Sequence, residues 1–226
     1  MDNITLIHGD CLEEMKKIPD KSVQLILCDL PYGTTARNDW DHIIPMDQLW
    51  AQYNRIIKDN GVIALWSQIP FSGLIMASNP SMLRYEWVIE KTKATGHLNA
   101  KKMPMKAHEN VLIFYKKLPK YNPQKTTGHS PVHSFTKHTD DGTCYGNTQP
   151  GVTGGGSTER YPRDVLKFKW DTQQSKLHPT QKPVAACDIL SGHIRTKVMW
   201  CLIIAWGLGP QELRALIRAG NLSELS

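Results

Sequence analysis

Apolar residues along this chain gather in short runs, each ended by Gly, Pro, Asn or Asp. Val23 to Cys28 reads V-Q-L-I-L-C, the nearly unbroken apolar pattern of a strand buried on both faces of a parallel sheet. Val62 to Trp66 has the same character, and Ile4 to Ile7, Tyr85 to Glu90 and Val111 to Tyr115 are shorter β-type runs. Helical spacing separates them. Leu12, Met15 and Ile18 recur within Cys11 to Ile18, and Leu49, Tyr53, Ile56 and Ile57 share one face of Met46 to Lys58, which Asn60-Gly61 closes. Phe71 to Ser78 suits a short helix before Asn79-Pro80, and Pro179 to about Ile189 another. Alternating strands and helices predict an α/β fold, an open sheet with helices on both faces. Between Lys116 and Lys176 only Val165 to Trp170 has strand character, and Gly154-Gly155-Gly156 reads as a flexible loop tip.

Charge sharpens this picture. The chain has 226 residues, 27 Lys and Arg against 21 Asp and Glu, a net charge of +6 and pI ≈ 9.0. Lys91 to Lys176 holds 15 of the basic and 6 of the acidic residues, a net of +9, so the rest of the chain is slightly acidic. A basic, loop-like stretch on a near-neutral body is the footprint of a polyanion partner, DNA or RNA. With 40% hydrophobic and 21% charged residues, the chain is an ordinary globular one, not a disordered tail or a disulfide scaffold. Its length suits one domain, or one domain with a large insertion. The first residues lack the basic and apolar regions of a signal peptide, and the longest apolar run, Val198 to Trp206, is too short for a membrane span of about 20 residues. Cys11, Cys28, Cys144, Cys187 and Cys201 form no C-x-x-C pair, which suggests free thiols in a reducing cytoplasm.

The candidate chemistry lies where the Val23 strand stops, at Asp29-Leu30-Pro31-Tyr32. In open α/β sheets, ligands bind beyond the carboxyl ends of the strands. A carboxylate (Asp29) and a backbone carbonyl (Leu30) can both accept hydrogen bonds from an exocyclic aromatic NH2. That draws the nitrogen toward tetrahedral geometry and frees its lone pair for attack on a methyl group. Pro31 restricts the backbone that carries the carbonyl, and Tyr32 offers a ring on which a flipped base could stack.

These residues belong to an ordered series. Gly9-Asp10-Cys11-Leu12 precedes a short helix, Ser22 to Ile26 leads into Asp29 to Gly33, and Gly61 to Leu65 follows. A long insertion comes next, and then His178-Pro179-Thr180-Gln181-Lys182-Pro183. Over residues 4 to 187 the chain resembles the β-group amino-methyltransferases of DNA, the adenine-N6 and cytosine-N4 enzymes, and is close to the solitary adenine methylases of phages and prophages. The resemblance implies a Rossmann-like, S-adenosylmethionine-dependent methyltransferase sheet, with double-stranded DNA as partner and no metal. It makes Asp29, Leu30, Pro31 and Tyr32 catalytic. It places His178, Pro179, Thr180, Gln181, Lys182 and Pro183 beside the methionine end of S-adenosylmethionine, with Lys182 paired to its carboxylate, and Asp10 near its adenosine. Asp29, rather than Ser, looks like the adenine version; Leu30 stands where the family usually has Pro. Residues 1–187 would form the methyltransferase domain, with the target-recognition insertion at about 91–176. Lys101, Lys102 and Lys106, flanked by His97 and His108, would contact DNA phosphates. No nuclease motif is present, so a methylase without a restriction partner is the expected form.

One part of the family pattern is missing. A strand ending in a Gly-Ser-Gly-Thr loop should follow Pro183 and wrap the cofactor, yet the chain reads Val198-Met199-Trp200-Cys201 and then Trp206-Gly207-Leu208-Gly209. Back-translation with the frame moved by one base forces Val-Val from Met199-Trp200-Cys201 and Gly from Trp206-Gly207. Using the free third positions, it allows a run with Gly-Ser-Gly-Thr and a later Phe-Ile-Gly-Ile-Glu at family spacing. The reading is one base lost near Asp188, with residues 188–226 an out-of-frame tail and the sheet incomplete on its C-terminal side. A non-catalytic DNA-binding remnant is therefore a competing reading, alongside a cytosine-N4 enzyme. His129, His133 and His138 lack a matching Cys or carboxylate pattern and read as a polar loop. Trp40, Trp50, Trp66 and Trp87 read as packing residues.

Overall fold

A computed structural model describes residues 4–33, 41–136, 153–169, 182–194, 200–206 and 213–219. Its elements are β1 (Ile4–His8), α1 (Cys11–Met15), β2 (Val23–Asp29), α2 (Met46–Ile56), β3 (Ile57–Ser67), α3 (Phe71–Ser78), β4 (Leu83–Thr95) and a 3-10 turn (His97–Asn99). There follow β5 (Lys106–Phe114), β6 (Phe135–Thr136), β7 (Thr153–Gly154), β8 (Val165–Phe168), α4 (Val184–His193), β9 (Trp200–Trp206) and β10 (Leu213–Ala219). Eight strands form one mixed sheet in the order β1-β10-β9-β2-β3-β5-β4-β8.

β2 and β3 run parallel at its centre, with Leu25 beside Val62 and Asp29 beside Trp66. Side chains alternate between faces along each strand. Ile26, Cys28, Ile63, Leu65, Leu112 and Phe114 point into a core shared with α1, α2 and α3. Leu25, Leu27, Val62, Ala64, Trp66, Val111 and Ile113 point to the other face, where Ala186 and Leu190 of α4 pack. This two-sided burial is why the strands carry no polar alternation, and it confirms helices on both faces. Burying each such side chain contributes about 1.5–3 kcal/mol. Trp50, Trp66 and Trp87 are buried; Trp40 lies outside the described residues. Among the described residues no helix is long and apolar enough to cross a membrane.

Several boundaries differ from the periodicity. Ile57 was expected on the helix but opens β3 instead, pairing with Val23 before the register jumps to Leu25 and Val62. The Asn60-Gly61 turn signal is real, but it marks this irregularity within β3 rather than a helix end. β4 and β5 extend well past their apolar segments, because antiparallel pairing continues to Thr95 and Lys106 once the chain leaves the core. The helix expected from Pro179 is seen from Val184; residues 179–181 lie outside the described ones. The C-terminal side holds more sheet than expected. β9 pairs parallel to β2, and β10 runs antiparallel to both β9 and β1. The edge of β2 offers a row of backbone donors and acceptors, and an apolar run such as Trp200 to Trp206 satisfies them whatever its side chains are.

The chain divides into two compact units, Met1–Asn122 with Asp164–Ser226, and Pro123–Arg163. The second contains β6 and β7, which pair antiparallel. Gly154 lies opposite Phe135 in that pair, so the triple glycine is partly built into structure rather than a free tip. Gly155 has φ +142°, and a Cβ there would sit 2.5 Å from the Ser134 Cα, so no other residue fits.

Candidate active site

Three strands and the segment entering α4 bring one charged cluster together at the end of β2. Asp29 is the last residue of β2, Glu109 lies on β5, Lys91 on β4, and Lys182 just precedes α4. Lys91 Nζ lies 2.6 Å from Glu109 Oε1. Lys182 Nζ lies 2.7 Å from Glu109 Oε2 and 3.2 Å from Asp29 Oδ1. β4 and β5 are antiparallel with Ile89 opposite Glu109, which sets Lys91 diagonally across on the same face. The side chains of Lys91 and Glu109 are 9% and 10% exposed, and those of Lys182 and Asp29 15% and 23%. Four charges this sheltered persist because they alternate in sign and cancel.

Tyr32 closes the cluster. Its hydroxyl donates to Asp29 Oδ1 at 3.1 Å and accepts from Lys182 Nζ at 3.4 Å. Its ring stacks on Phe71, 5.0 Å between centroids. Lys182 Nζ also stands 5.4 Å from the Tyr32 ring centre and 5.2 Å from that of Trp66. Tyr32 is thus a packed, hydrogen-bonded residue with Phe71 stacked on its ring. The turn behind it is fixed by Asp41, whose carboxylate accepts from the Gly33 N–H at 2.8 Å. Gly33 has φ +64°, and a Cβ would meet Ile43 at 2.8 Å.

The cluster's electrostatics follow from burial and neighbours. Burial pushes the Asp29 carboxyl above its ordinary value; Lys182 pulls it down, and the Glu109 charge pushes it up. Burial also works against the Glu109 charge, but Lys182 and Lys91 outweigh it and hold that carboxyl below its ordinary value. Burial disfavours the Lys182 ammonium, yet Asp29 and Glu109 keep it protonated. Burial and the neighbouring Asp29 and Glu109 charges push the Tyr32 phenol well up, so it stays a donor. The arrangement can present a sheltered carboxylate to an NH2 donor.

The other expected residues are distributed as follows. Leu30 is buried in the core beneath the helices, which accommodates its side chain where the family has Pro; Pro31 is buried beside it. Asp10 is exposed and caps α1, its Oδ1 accepting from the Leu12 and Glu13 N–H groups at 2.8 and 3.2 Å. Lys182 is turned to Asp29 and Glu109. Pro183 precedes α4 and is buried. His178, Pro179, Thr180 and Gln181 lie outside the described residues. Lys101 and Lys102 are exposed beyond the 3-10 turn, and Lys106 is exposed at the start of β5, donating to Gln68 Oε1 at 3.0 Å. Among the described residues no group of three His, Cys, Asp or Glu could hold a metal. His129 meets the Thr126 hydroxyl at 2.6 Å, and His138 is outside the described residues.

Glu109 and Lys91 escaped the sequence reading, although Glu109 carried a signal: it is the only acidic residue between Glu90 and Asp140, set against the apolar run Val111 to Phe114. The fold also divides the basic insertion. Lys91 to Asn122 holds 8 Lys against Glu109 alone, whereas Pro123 to Arg163 holds 4 basic and 3 acidic residues. The positive charge belongs to the β4–β5 hairpin and the segment after it, not to the second compact unit.

No protein-family model matches the chain. Its homologues and structural neighbours are DNA methyltransferases. It is similar to the type II methyltransferase M.HinfI of Haemophilus influenzae, 33% identical over 67 residues, which is 27% of this chain and 19% of that protein. It is 40% identical over 65 residues to the DNA adenine methyltransferase YhdJ of Escherichia coli K12, covering 25% of this chain and 22% of that protein. These matches span only about a fifth of each relative. In structure it is similar to M1.HpyAVI, solved in complex with S-adenosylmethionine. That match has TM-score 0.53 and 16% identity, and covers 89% of this chain and 82% of the other. It is also similar to the cytosine-N4-specific PvuII DNA methyltransferase, with TM-score 0.59, 11% identity, and coverage of 86% and 71%. The fold is therefore the Rossmann-like sheet of the S-adenosylmethionine-dependent methyltransferases.

Proposed function

We propose that this chain is a DNA amino-methyltransferase of the adenine-N6 type whose amine-activating half is built and whose donor-binding half is disrupted. The observation that carries this reading is the sheltered Asp29 carboxylate at the end of β2, held by Tyr32 and Lys182 at 3.1 and 3.2 Å. S-adenosylmethionine would supply the methyl group. Asp29 would accept one N–H of the flipped base, with the Leu30 carbonyl accepting the other, and Lys182 and the neutral Tyr32 would keep the carboxylate ionised and oriented. The identity to YhdJ, by name an adenine enzyme, and Asp29 itself favour adenine over cytosine.

The donor-binding half is read as disrupted because two of its expected residues have protein partners and the loop after Pro183 is missing. Asp10 is committed to its helix cap and Lys182 to two carboxylates. The sequence after Pro183 carries no Gly-Ser-Gly-Thr loop in its own frame. This supports residues 188–226 as an out-of-frame tail and residues 1–187 as the methyltransferase body, with double-stranded DNA as partner in both readings. Lys101, Lys102 and Lys106 would follow its phosphates.

The test compares the chain as written with a one-base-repaired version, using tritiated methyl transfer to adenine-containing duplexes. Catalysis needs the donor held in line with the amine, an arrangement that supplies up to roughly 7–11 kcal/mol of the barrier. The repaired chain should transfer methyl groups and the written chain should not. Full activity from the written chain would overturn the frameshift reading, and inactivity of both would overturn the enzyme reading.

A further inference from the structure

We infer that Glu109, clamped by Lys91, is a positioning residue for Asp29 and acts through Lys182. The inference rests on the proposed reading of Asp29 as the amine acceptor. Three observations carry it. First, the Lys91–Glu109 pair joins adjacent strands of the sheet, so Glu109 is anchored to the backbone of β4 and β5 rather than to a loop. Second, Glu109 splits its two oxygens: Oε1 meets Lys91 at 2.6 Å and Oε2 meets Lys182 at 2.7 Å. A carboxylate used at both oxygens cannot rotate without breaking one contact. Third, Lys182 lies closer to Glu109 than to Asp29, at 2.7 against 3.2 Å. Glu109 therefore decides where the ammonium stands, and Asp29 receives it.

The arrangement has a chemical consequence. Both contacts made to Asp29, from Tyr32 and from Lys182, fall on Oδ1. They hold Oδ1, and on the proposed reading Oδ2 is the oxygen left to accept from the incoming amine. A lysine left to itself on a flexible stem would sample other positions, including over the Tyr32 and Trp66 rings that it already approaches. Glu109 removes that freedom.

The charged and titratable groups around Asp29 are Tyr32 on its own turn, Lys182 ahead of α4, Glu109 on β5, and Lys91 on β4 behind Glu109. Two effects of Glu109 on Asp29 oppose one another. Directly, its negative charge disfavours ionisation of Asp29; through Lys182, it favours ionisation by holding a cation against it. The sign of the response to Glu109→Gln tells which dominates.

The experiment follows the Asp29 carboxyl by ¹³C NMR titration in the full chain as written, assigned with Asp29→Asn. The variants are Glu109→Gln, Lys182→Met and the double substitution. If Glu109 acts through Lys182, Glu109→Gln moves the Asp29 midpoint upward by about one pH unit, the smaller end of the effect of an opposite charge within reach. In the Lys182→Met background the same change moves the midpoint downward, because only direct repulsion remains to be removed. A downward shift or no shift in the unsubstituted background overturns the inference, as does the same response in both backgrounds. In the one-base-repaired chain, Glu109→Gln should lower kcat, move the acid limb of its pH profile upward, and leave donor binding unchanged. Absence of methyl transfer from the repaired chain overturns the functional reading alone, since the titration does not depend on turnover.

Discussion

β2 has a neighbour on each side, and the two differ in kind. On one side β3 pairs with it from Val23 to Asp29, and every residue from Val62 to Ser67 is buried. Beyond β3, β5 and β4 add Glu109 and Lys91 to the cluster at the strand ends. On the other side β9 pairs from Leu25 to Cys28 and stops short of Asp29. The first side brings the residues of the charged cluster to the strand ends; the second adds pairing without any residue of that cluster. Backbone ladders accept any apolar run of suitable length, whereas a catalytic cluster requires particular side chains at particular registers. A shifted reading frame preserves the first property more easily than the second.

The largest effect that bears on this contrast is at the built side. Asp29→Ala in the one-base-repaired chain should reduce methyl transfer by roughly 10²- to 10⁴-fold, the range for a lost acid–base or acceptor group. Donor binding, followed by isothermal titration, should survive. Equal loss of donor binding would assign Asp29 to the cofactor and erase the division of labour between the two sides.

The next is on the β9 side. A donor that binds only the folded state stabilises it by about 2.7 kcal/mol at 100-fold excess over Kd. S-adenosylmethionine should therefore raise the melting temperature of the repaired chain by several degrees and leave that of the written chain unmoved. A rise in both would show that β9 and β10, as they stand, complete a donor site.

DNA binding should not distinguish the two versions, because the basic hairpin precedes the suspected frame change. Affinity measured by fluorescence anisotropy should fall steeply with salt, by about 0.9 in log K per phosphate contacted for each decade of salt. Replacing Lys101, Lys102 and Lys106 by Ala together should flatten that slope by about 2.7 if each holds one phosphate. An unchanged slope would return these lysines to plain surface.

The smallest effect concerns the packing of α4, the helix within which the suspected tail begins. His193 is buried between Trp87 and Tyr121, with ring centroids 5.0 and 5.4 Å away. Burial holds its imidazole below the ordinary value of 6.5. The fold therefore prefers the neutral ring: its stabilisation is complete above the ordinary histidine value and is lost as pH falls from there through the lowered folded-state value. Melting temperature should decline from pH 7 to pH 5, and His193→Phe should flatten that decline. An equal decline in the variant would show that other groups govern acid sensitivity on this side.

Much of the first half was legible from residue patterns. V-Q-L-I-L-C could only be a strand with two buried faces, and the structure gives it a core on each side. α3 falls on the predicted residues Phe71 to Ser78 because Pro70 and Asn79-Pro80 bracket it locally. Asp29 stood out because the tetrapeptide it heads falls, in order, among the motifs that carry the family resemblance; by itself it would have read as a turn. The ends of β4 and β5 were not legible, since hydrogen bonding between them outlasts their apolar pattern. The irregularity at Asn60-Gly61 could not be told from a helix end without knowing that Ile57 pairs with Val23.

What the sequence determined by itself was local: the strand cores, the helix faces, the turn at Asp29 to Gly33, the uneven charge and the break in pattern after Pro183. Each depends on neighbours within a few residues, so spacing alone reveals it. What only tertiary structure decided was partnership. Glu109, 80 residues from Asp29 in the numbering, and Lys182, 153 residues away, meet around it because the sheet order sets β5 beside β3 and leads α4 over the face that carries Trp66. Asp10 caps its own helix, a local contact between neighbours in sequence, whereas Lys182 meets two carboxylates from distant strands, since a buried charge takes the nearest partner that compensates for the water it has lost.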